Sequence, residues 1–245
     1  MKNIKISYQY DGSSFMGFQR QPEKRTVQGE IEKCLFRILK EKIDLTSSGR
    51  TDRGVHAMHQ VSNFFTAVNI PLDKLFYALS HCLPEDILLL ELEEARKDFH
   101  ARFSAKTRSY CYRITWKKSP FERRYKTYVK KKIDSQSFFK ILEIFMGKHN
   151  FQNFRLQDDA FANPIREIYS IQVKEVDEGM DIYIEANAFL KSQIRIMLGT
   201  AFQVYFQKVE SNRIEKMLKE PDKEFPKYLA DPNGLYLYHI KYDEE

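Results

Sequence analysis

Hydrophobic periodicity switches from two residues to about 3.6 and back, twice, within the first 92 residues, and this rhythm constrains the fold more than any other feature. Ile4, Ile6, Tyr8 and Tyr10 alternate with Lys5, Ser7 and Gln9, the pattern of a half-buried strand. Asp11-Gly12-Ser13-Ser14 turns the chain, and Thr26 reads as the N-cap of a helix with Val27, Ile31, Cys34, Leu35 and Ile38 on one stripe. Ile43 and Leu45 mark a second strand and residues 61–66 a third. Pro71 suits the first turn of a helix bearing Leu72, Leu75, Phe76 and Leu79, which Leu83-Pro84 ends. Residues 87–92 then form a fourth strand. The order is β-α-β-β-α-β, that of a ferredoxin-like domain.

The second half reads the same way. Tyr110, Tyr112, Ile114 and Trp116 alternate along a strand, and Asp134 caps a helix bearing Phe138, Ile141, Leu142 and Phe145, closed by Gly147. Tyr169, Ile171 and Val173 mark another strand, which Asp177-Glu178-Gly179 turns into residues 182–186. A long helix is expected from Asn187, with Leu190, Ile194, Met197, Leu198 and Ala201 on its apolar stripe and Arg195 at the border. A short helix near Ile214 and a strand over 236–242 follow. The halves share an order of elements without sharing sequence. The expected fold is α+β: two ferredoxin-like domains, 1–104 and 105–245, with abutting antiparallel sheets and a cleft between them.

Composition narrows the class. The 245 residues hold 40 Lys and Arg against 34 Asp and Glu, a formal charge of +6 that suits a polyanionic partner without requiring one. The three cysteines, Cys34, Cys82 and Cys111, form no C-x-x-C pair, so neither a disulfide framework nor a thiolate metal site is expected, and a reducing cytoplasm fits. No apolar run approaches the ~20 residues of a membrane helix, and the strand pattern at the N-terminus leaves no room for a signal peptide. Residues 117–132 carry eight cations, Lys117, Lys118, Arg123, Arg124, Lys126, Lys130, Lys131 and Lys132, against Glu122 alone. With Phe121, Tyr125 and Tyr128 interleaved, this run reads either as a solvated face or as a surface tracking phosphates. His56 and His59 lack a third ligand and read as structural. Asp158-Asp159 and Asp243-Glu244-Glu245 read as solvated charges, and no Gly-Lys-Ser/Thr supports nucleotide hydrolysis.

The chemistry concentrates in Ser48-Gly49-Arg50-Thr51-Asp52-Arg53-Gly54-Val55-His56-Ala57. Gly49 and Gly54 bracket one carboxylate as the hinges of a tight loop. Flanking Arg50 and Arg53 are expected to keep Asp52 ionised. A fixed anionic carboxylate is what covalent catalysis at an electrophilic carbon needs.

This string resembles the signature G-R-T-D-x-G-V-H of the TruA-type tRNA pseudouridine synthases. The likeness extends to Tyr10-Asp11-Gly12 with Phe15 through Gln21, to residues 98–105, to Arg108-Ser109-Tyr110-Cys111-Tyr112, to Phe151 through Arg155, to Gln193 through Gly199 and to residues 232–237. It departs at Ser192, where a histidine is common in the family. The resemblance implies that Asp52 is the catalytic residue and that Arg50 and Arg195 orient it. It also implies that Tyr110 stacks on the target uracil, with assistance to proton transfer at C5 as a second role, while Tyr112 reads as core. Phe18, Gln19, Arg20, Arg53, His56, Arg102 and Arg155 become substrate contacts. The implied reaction isomerises uridine to pseudouridine at positions 38–40 of the tRNA anticodon stem-loop, in a cytoplasmic homodimer needing no cofactor or metal. Two routes stay open, attack by Asp52 on C1′ or removal of the 2′ proton. So do two competitors, the same chemistry on rRNA or another tRNA site, and a non-catalytic RNA-binding protein.

Overall fold

The computed structural model describes residues 1–157 and 163–243, which group into two units. One comprises residues 1–106 with the segment from Tyr236 onward, and the other residues 107–235. Asp158-Asp159 and Glu244-Glu245 lie outside the described residues.

In the first unit, β1 (Lys2–Tyr10) lies between β3 (His56–Thr66) and β4 (Ile87–Ala95), antiparallel to both, with Ile6 opposite Ser62 and Leu92. Ile4, Ile6, Tyr8 and Tyr10 are all buried, as the alternation requires. The helices are α1 (Val27–Leu39) and α2 (Leu72–Cys82). Thr26 accepts the Gly29 N–H at 3.3 Å to cap α1, and Pro71 stands at the N-cap of α2. Ile43 and Leu45 are buried without forming a strand; the pairing falls one step later, in β2 (Thr46–Ser47). β3 begins at His56 rather than 61, because Ala57 already pairs with Tyr10.

The strand order β4-β1-β3-β2 is that of a ferredoxin-like sheet, with one addition. β2 covers the edge of β3 only at Ser62 and Asn63. β10 (Leu235–Lys241) takes the same edge at His56 and Ala57, running parallel. The last strand, expected in the second domain, thus groups with the first unit.

The second unit holds β5 (Thr107–Thr115), β6 (Thr127–Tyr128), β7 (Gly147–Asn150), β8 (Ile165–Val176) and β9 (Gly179–Ala186). The order is β5-β9-β8-β7, antiparallel throughout, so β9 inserts between two parallel strands as a β-α-β-β chain demands. Its helices are α3 (Ser135–Leu142), α4 (Gln193–Tyr205) and α5 (Arg213–Lys219). Asp134 accepts the Ser137 N–H at 2.8 Å. Phe138, Leu142, Phe145, Phe151 and Phe154 fill the core with Ile182, Ile184 and Met197.

α4 starts at Gln193, six residues after the expected point. Asn187 explains the delay. Its side-chain oxygen takes the N–H groups of Glu167 and Ala188 at 3.1 and 2.8 Å, the local bonding that competes with a helix. Ser192 then turns through φ 58°, and the Gln193 side chain accepts the Leu190 N–H at 2.8 Å.

Candidate active site

The loop joining β2 to β3 is fixed along its length. Ser48 donates its N–H to Val61 O at 2.9 Å and its hydroxyl to Gln60 Oε1 at 2.6 Å. Fully buried Gln60 returns its amide to Gly49 O at 3.0 Å. Thr51 Oγ1 meets the Tyr10 hydroxyl at 2.8 Å, and Thr51 O accepts the Phe18 N–H at 3.1 Å. Asp52 O then accepts the Val55 N–H at 3.2 Å, closing a turn whose third residue, Gly54, has φ 79°. That positive angle is what a type II turn requires of its third residue.

Gly17 lets the preceding loop lie against this turn. At φ 96°, a Cβ there would stand 3.2 Å from Thr51 O and 3.4 Å from Arg53 N. Thr51, Gly54 and Val55 are buried, while Asp52 between them is half-buried. The backbone around the carboxylate is held on both sides.

Several expectations change here. Gly49 is no hinge: its φ is not positive, and a Cβ there would meet nothing within 4 Å. Arg50 and Arg53 are exposed, and neither forms an ion pair with Asp52 among the described residues. Phe18 is only 2% exposed and packs 6.3 Å from the Tyr10 ring, so its ring is core rather than an RNA-facing surface. His56 is buried too. Its Nδ1 lies 3.1 Å from the Gly12 N–H and 3.2 Å from Asp11 Oδ1, and its ring stacks on Tyr236 at 4.6 Å. Both residues support the loop from behind.

Gln19 is exposed. Arg20 pairs with Glu32 at 2.6 Å and with Asp44 at 3.9 Å. Arg102 is exposed beside Phe103, 5.6 Å from its ring, in a segment tied to the sheet. The ties are Asn3 Nδ2 to Phe99 O, and the Ala101 N–H to Asn63 Oδ1.

His59 stacks on His239 at 4.9 Å, and among the described residues no cluster of three ligating side chains exists. Burial holds the His59 imidazole below its ordinary pKa, the nearby His239 adding to the effect. Among the described residues, no helix is long and apolar enough to cross a membrane.

In the second unit Tyr110, half-buried on β5 opposite Ile184, meets Phe189 edge-on at 5.2 Å. Tyr112, two residues on, is buried and donates its hydroxyl to Asp231 O at 3.1 Å, a core role as expected. Arg195, in the first turn of α4, is gripped twice by one residue. Its Nε donates to Ala230 O and its carbonyl accepts the Ala230 N–H, both at 2.9 Å. Gly199, one turn on, makes this possible, because a Cβ there would stand 2.0 Å from Tyr228 O. The spacing Arg-x-x-x-Gly is thus one structural device, an arginine and the gap that admits the segment holding it.

Arg155 is half-buried, its carbonyl accepting from Lys227 Nζ at 2.6 Å. Phe151 and Phe154 before it are core, and Asn153 donates to Met217 O and Glu220 O, both at 3.0 Å, tying off the end of α5. Gln60, Thr51, Gly17, Ala230 and Gly199 received no separate weight from the sequence. Thr51, Gly17 and Gly199 lie within the motif strings quoted above, whereas Gln60 and Ala230 lie outside them.

A tRNA pseudouridine synthase profile matches residues 6–104 and 141–243. The chain is 34% identical over 244 residues to tRNA pseudouridine synthase A 2 of Clostridium perfringens, covering 99% of this chain and all of that one. It is 37% identical to tRNA pseudouridine synthase A of Caldicellulosiruptor bescii, again over 99% of this chain and all of its relative. The counterpart from an Exiguobacterium species is 35% identical, covering 100% of this chain and 99% of that one. The chain belongs to the tRNA pseudouridine synthase family. It is therefore an enzyme of an isomerase family, acting in tRNA processing on an RNA substrate.

Proposed function

We propose that this synthase converts uridine to pseudouridine at positions 38–40 of the anticodon stem-loop, with Asp52 as the catalytic carboxylate. The observation that carries the reading is the Asp52 loop itself: a partly accessible carboxylate on a backbone locked by Gln60, Thr51 and Gly17. Immobilising a nucleophile or base ahead of reaction removes entropy from the barrier.

The glycosidic bond from C1′ to N1 breaks, the uracil turns, and a C1′–C5 bond forms. The C5 proton is lost and N1, released from the ribose, takes up a proton, so substrate and product are isomers and no redox partner enters. Asp52 acts at the ribose, either on C1′ or on the 2′ proton. Tyr110 supplies a stacking face and a hydroxyl for the base, Arg195 supports the carboxylate's charge, and the exposed Arg50 adds to it at longer range. Gln19, Arg20, Arg53, Arg102 and Arg155 serve as RNA contacts. Reaching C1′ requires the nucleotide to leave its stack, at a cost of a few kcal/mol, which favours loop and stem-end uridines. We place the enzyme in the cytoplasm as a homodimer.

The test is Asp52→Asn, with tritium release from tRNA labelled at uracil C5 measured under excess enzyme. Release should fall by a factor on the order of 10³ or more while tRNA affinity, dominated by phosphate contacts, persists. Release near the wild-type rate would remove Asp52 from the mechanism. Mapping pseudouridines in a deletion strain locates the target, and loss at sites other than 38–40 would reassign the substrate position.

A further inference from the structure

Residues 117–131 keep an excess of positive charge that the fold does not neutralise. Lys117 is paired with Glu178 at 2.8 Å and Lys126 with Glu122 at 2.5 Å, while Lys132 lies over the Trp116 ring at 5.7 Å. The side chains of Lys118, Arg123, Lys130 and Lys131 are exposed and form no ion pair among the described residues. A solvated face of a stable protein normally interleaves both signs; here the acids at the margin are already spent on Lys117 and Lys126.

Beside these cations stands an aromatic ring that the fold does not use. Phe121 is 88% exposed, and Tyr125 and Tyr128 are 41% and 45% exposed. The segment nevertheless has fixed anchors. Thr127 and Tyr128 pair in parallel with Ile114 and Thr115, and the Val129 N–H reaches Thr115 O at 2.8 Å. The N–H groups of Tyr125 and Lys126 bond Glu122 O at 2.8 and 2.9 Å, and Asn233 donates to Arg123 O at 2.9 Å. Gly234 packs so closely that a Cβ there would lie 2.7 Å from Thr127 Oγ1. Cations on an anchored loop around an exposed ring are the two components of a single-strand RNA site: charges that follow phosphates and a platform on which a base stacks.

We infer that residues 117–131 form a second RNA-binding surface, in which Lys118, Arg123, Lys130 and Lys131 contact phosphates and Phe121 stacks on an unpaired base of the bound tRNA. The inference rests on tRNA being the substrate. None of these five residues is assigned a role at the reacting uridine, so the surface acts on affinity and choice of RNA.

The test measures tRNA Kd across a salt series for the wild type, for a variant with all four cations changed to alanine, and for Phe121→Ala and Phe121→Tyr. Four lost phosphate contacts lower the slope of log K against log salt by about three units. Phe121→Ala weakens binding roughly 5- to 150-fold, and Phe121→Tyr restores it because the ring remains. An unchanged slope in the four-cation variant overturns the surface, and wild-type affinity in Phe121→Ala overturns the stacking role. A wild-type protein that forms no pseudouridine would sink the proposed function instead, a result read in the product rather than in the salt slope.

Discussion

Gly54 and Gly49 show how differently two glycines of one motif behave. Gly54 carries φ 79°, a conformation that costs a β-carbon-bearing residue about 1 kcal/mol or more, whereas Gly49 has open space around its missing Cβ. Gly54→Ala should therefore lower stability by roughly 1–2 kcal/mol and slow catalysis, and Gly49→Ala should change stability by less than about 0.5 kcal/mol. Urea denaturation of the two variants decides it; equal losses would mean the turn is not held as described. The motif's charges were less legible than its glycines. Flanking arginines are adjacent to Asp52 in sequence, but successive side chains in a tight turn point apart, and both arginines are exposed here. His59 gives the residue scale a pH dependence. Burial, reinforced by His239, holds its folded pKa below the ordinary 6.5, while the charge of Glu91 acts the other way and that of Lys5 with the burial. The folded protein then binds fewer protons than the unfolded chain between the two values. This stability is complete above pH 6.5 and is lost as pH falls through 6.5 toward the depressed value. Replacing His59 by phenylalanine, which keeps a ring against His239, should shrink the loss of stability between pH 7.5 and 5.5. An identical loss in the variant would assign the dependence elsewhere.

Helices and strands with one buried face were readable from periodicity, as β1, α1, α2 and β5 illustrate. Elements that depend on side-chain bonding to the backbone were not. Asn187 displaces the start of α4 by six residues through two hydrogen bonds that no hydrophobic pattern encodes. β7, Gly-Lys-His-Asn, has no apolar alternation at all and exists because β8 offers it an edge. Phe18 differs for another reason: the family resemblance implied a substrate contact, yet the loop folds back and buries the ring. The Arg195 grip belongs to this scale as well. Gly199→Ala would push a methyl group into Tyr228 O and displace the segment that holds Arg195 through Ala230. Overpacking of this kind costs about 1–3 kcal/mol. The variant should also lose tritium release beyond its loss of folded protein, because the arginine is freed. A folded Gly199→Ala enzyme with the wild-type rate would show that the grip does not matter to catalysis.

Sequence order suggested a first domain ending near residue 104, but the chain returns to that unit with its last strand. Such closure cannot be read locally, since β10 has the same alternating pattern as any strand and nothing in it names its partner. Its contacts give the reason. Tyr236 pairs with His56 in the parallel register and stacks on the His56 ring, and Leu237 pairs with Ala57. Further along, Tyr242 donates its hydroxyl to Ala101 O at 2.8 Å and packs 5.2 Å from Phe99. The last strand thus supports both the exit of the Asp52 loop and the segment carrying Arg102. A chain ending at Gly234 would leave the β3 edge at His56 and Ala57 unpaired and strip the cover from the His56 ring, exposing buried polar groups to partial solvation. We expect that shortened chain to be cleaved readily by protease near residues 48–57 and to lose pseudouridine formation. Tyr236→Ala should show the same effects more mildly, with the fold retained and amide exchange accelerated at His56 and Ala57. Tyr236→Phe preserves the stack and should resemble the wild type. If Tyr236→Ala left exchange at those two amides unchanged, the loop would owe its rigidity to Gln60 and Tyr10 alone, and the return of the chain would serve the first unit's stability rather than its active site.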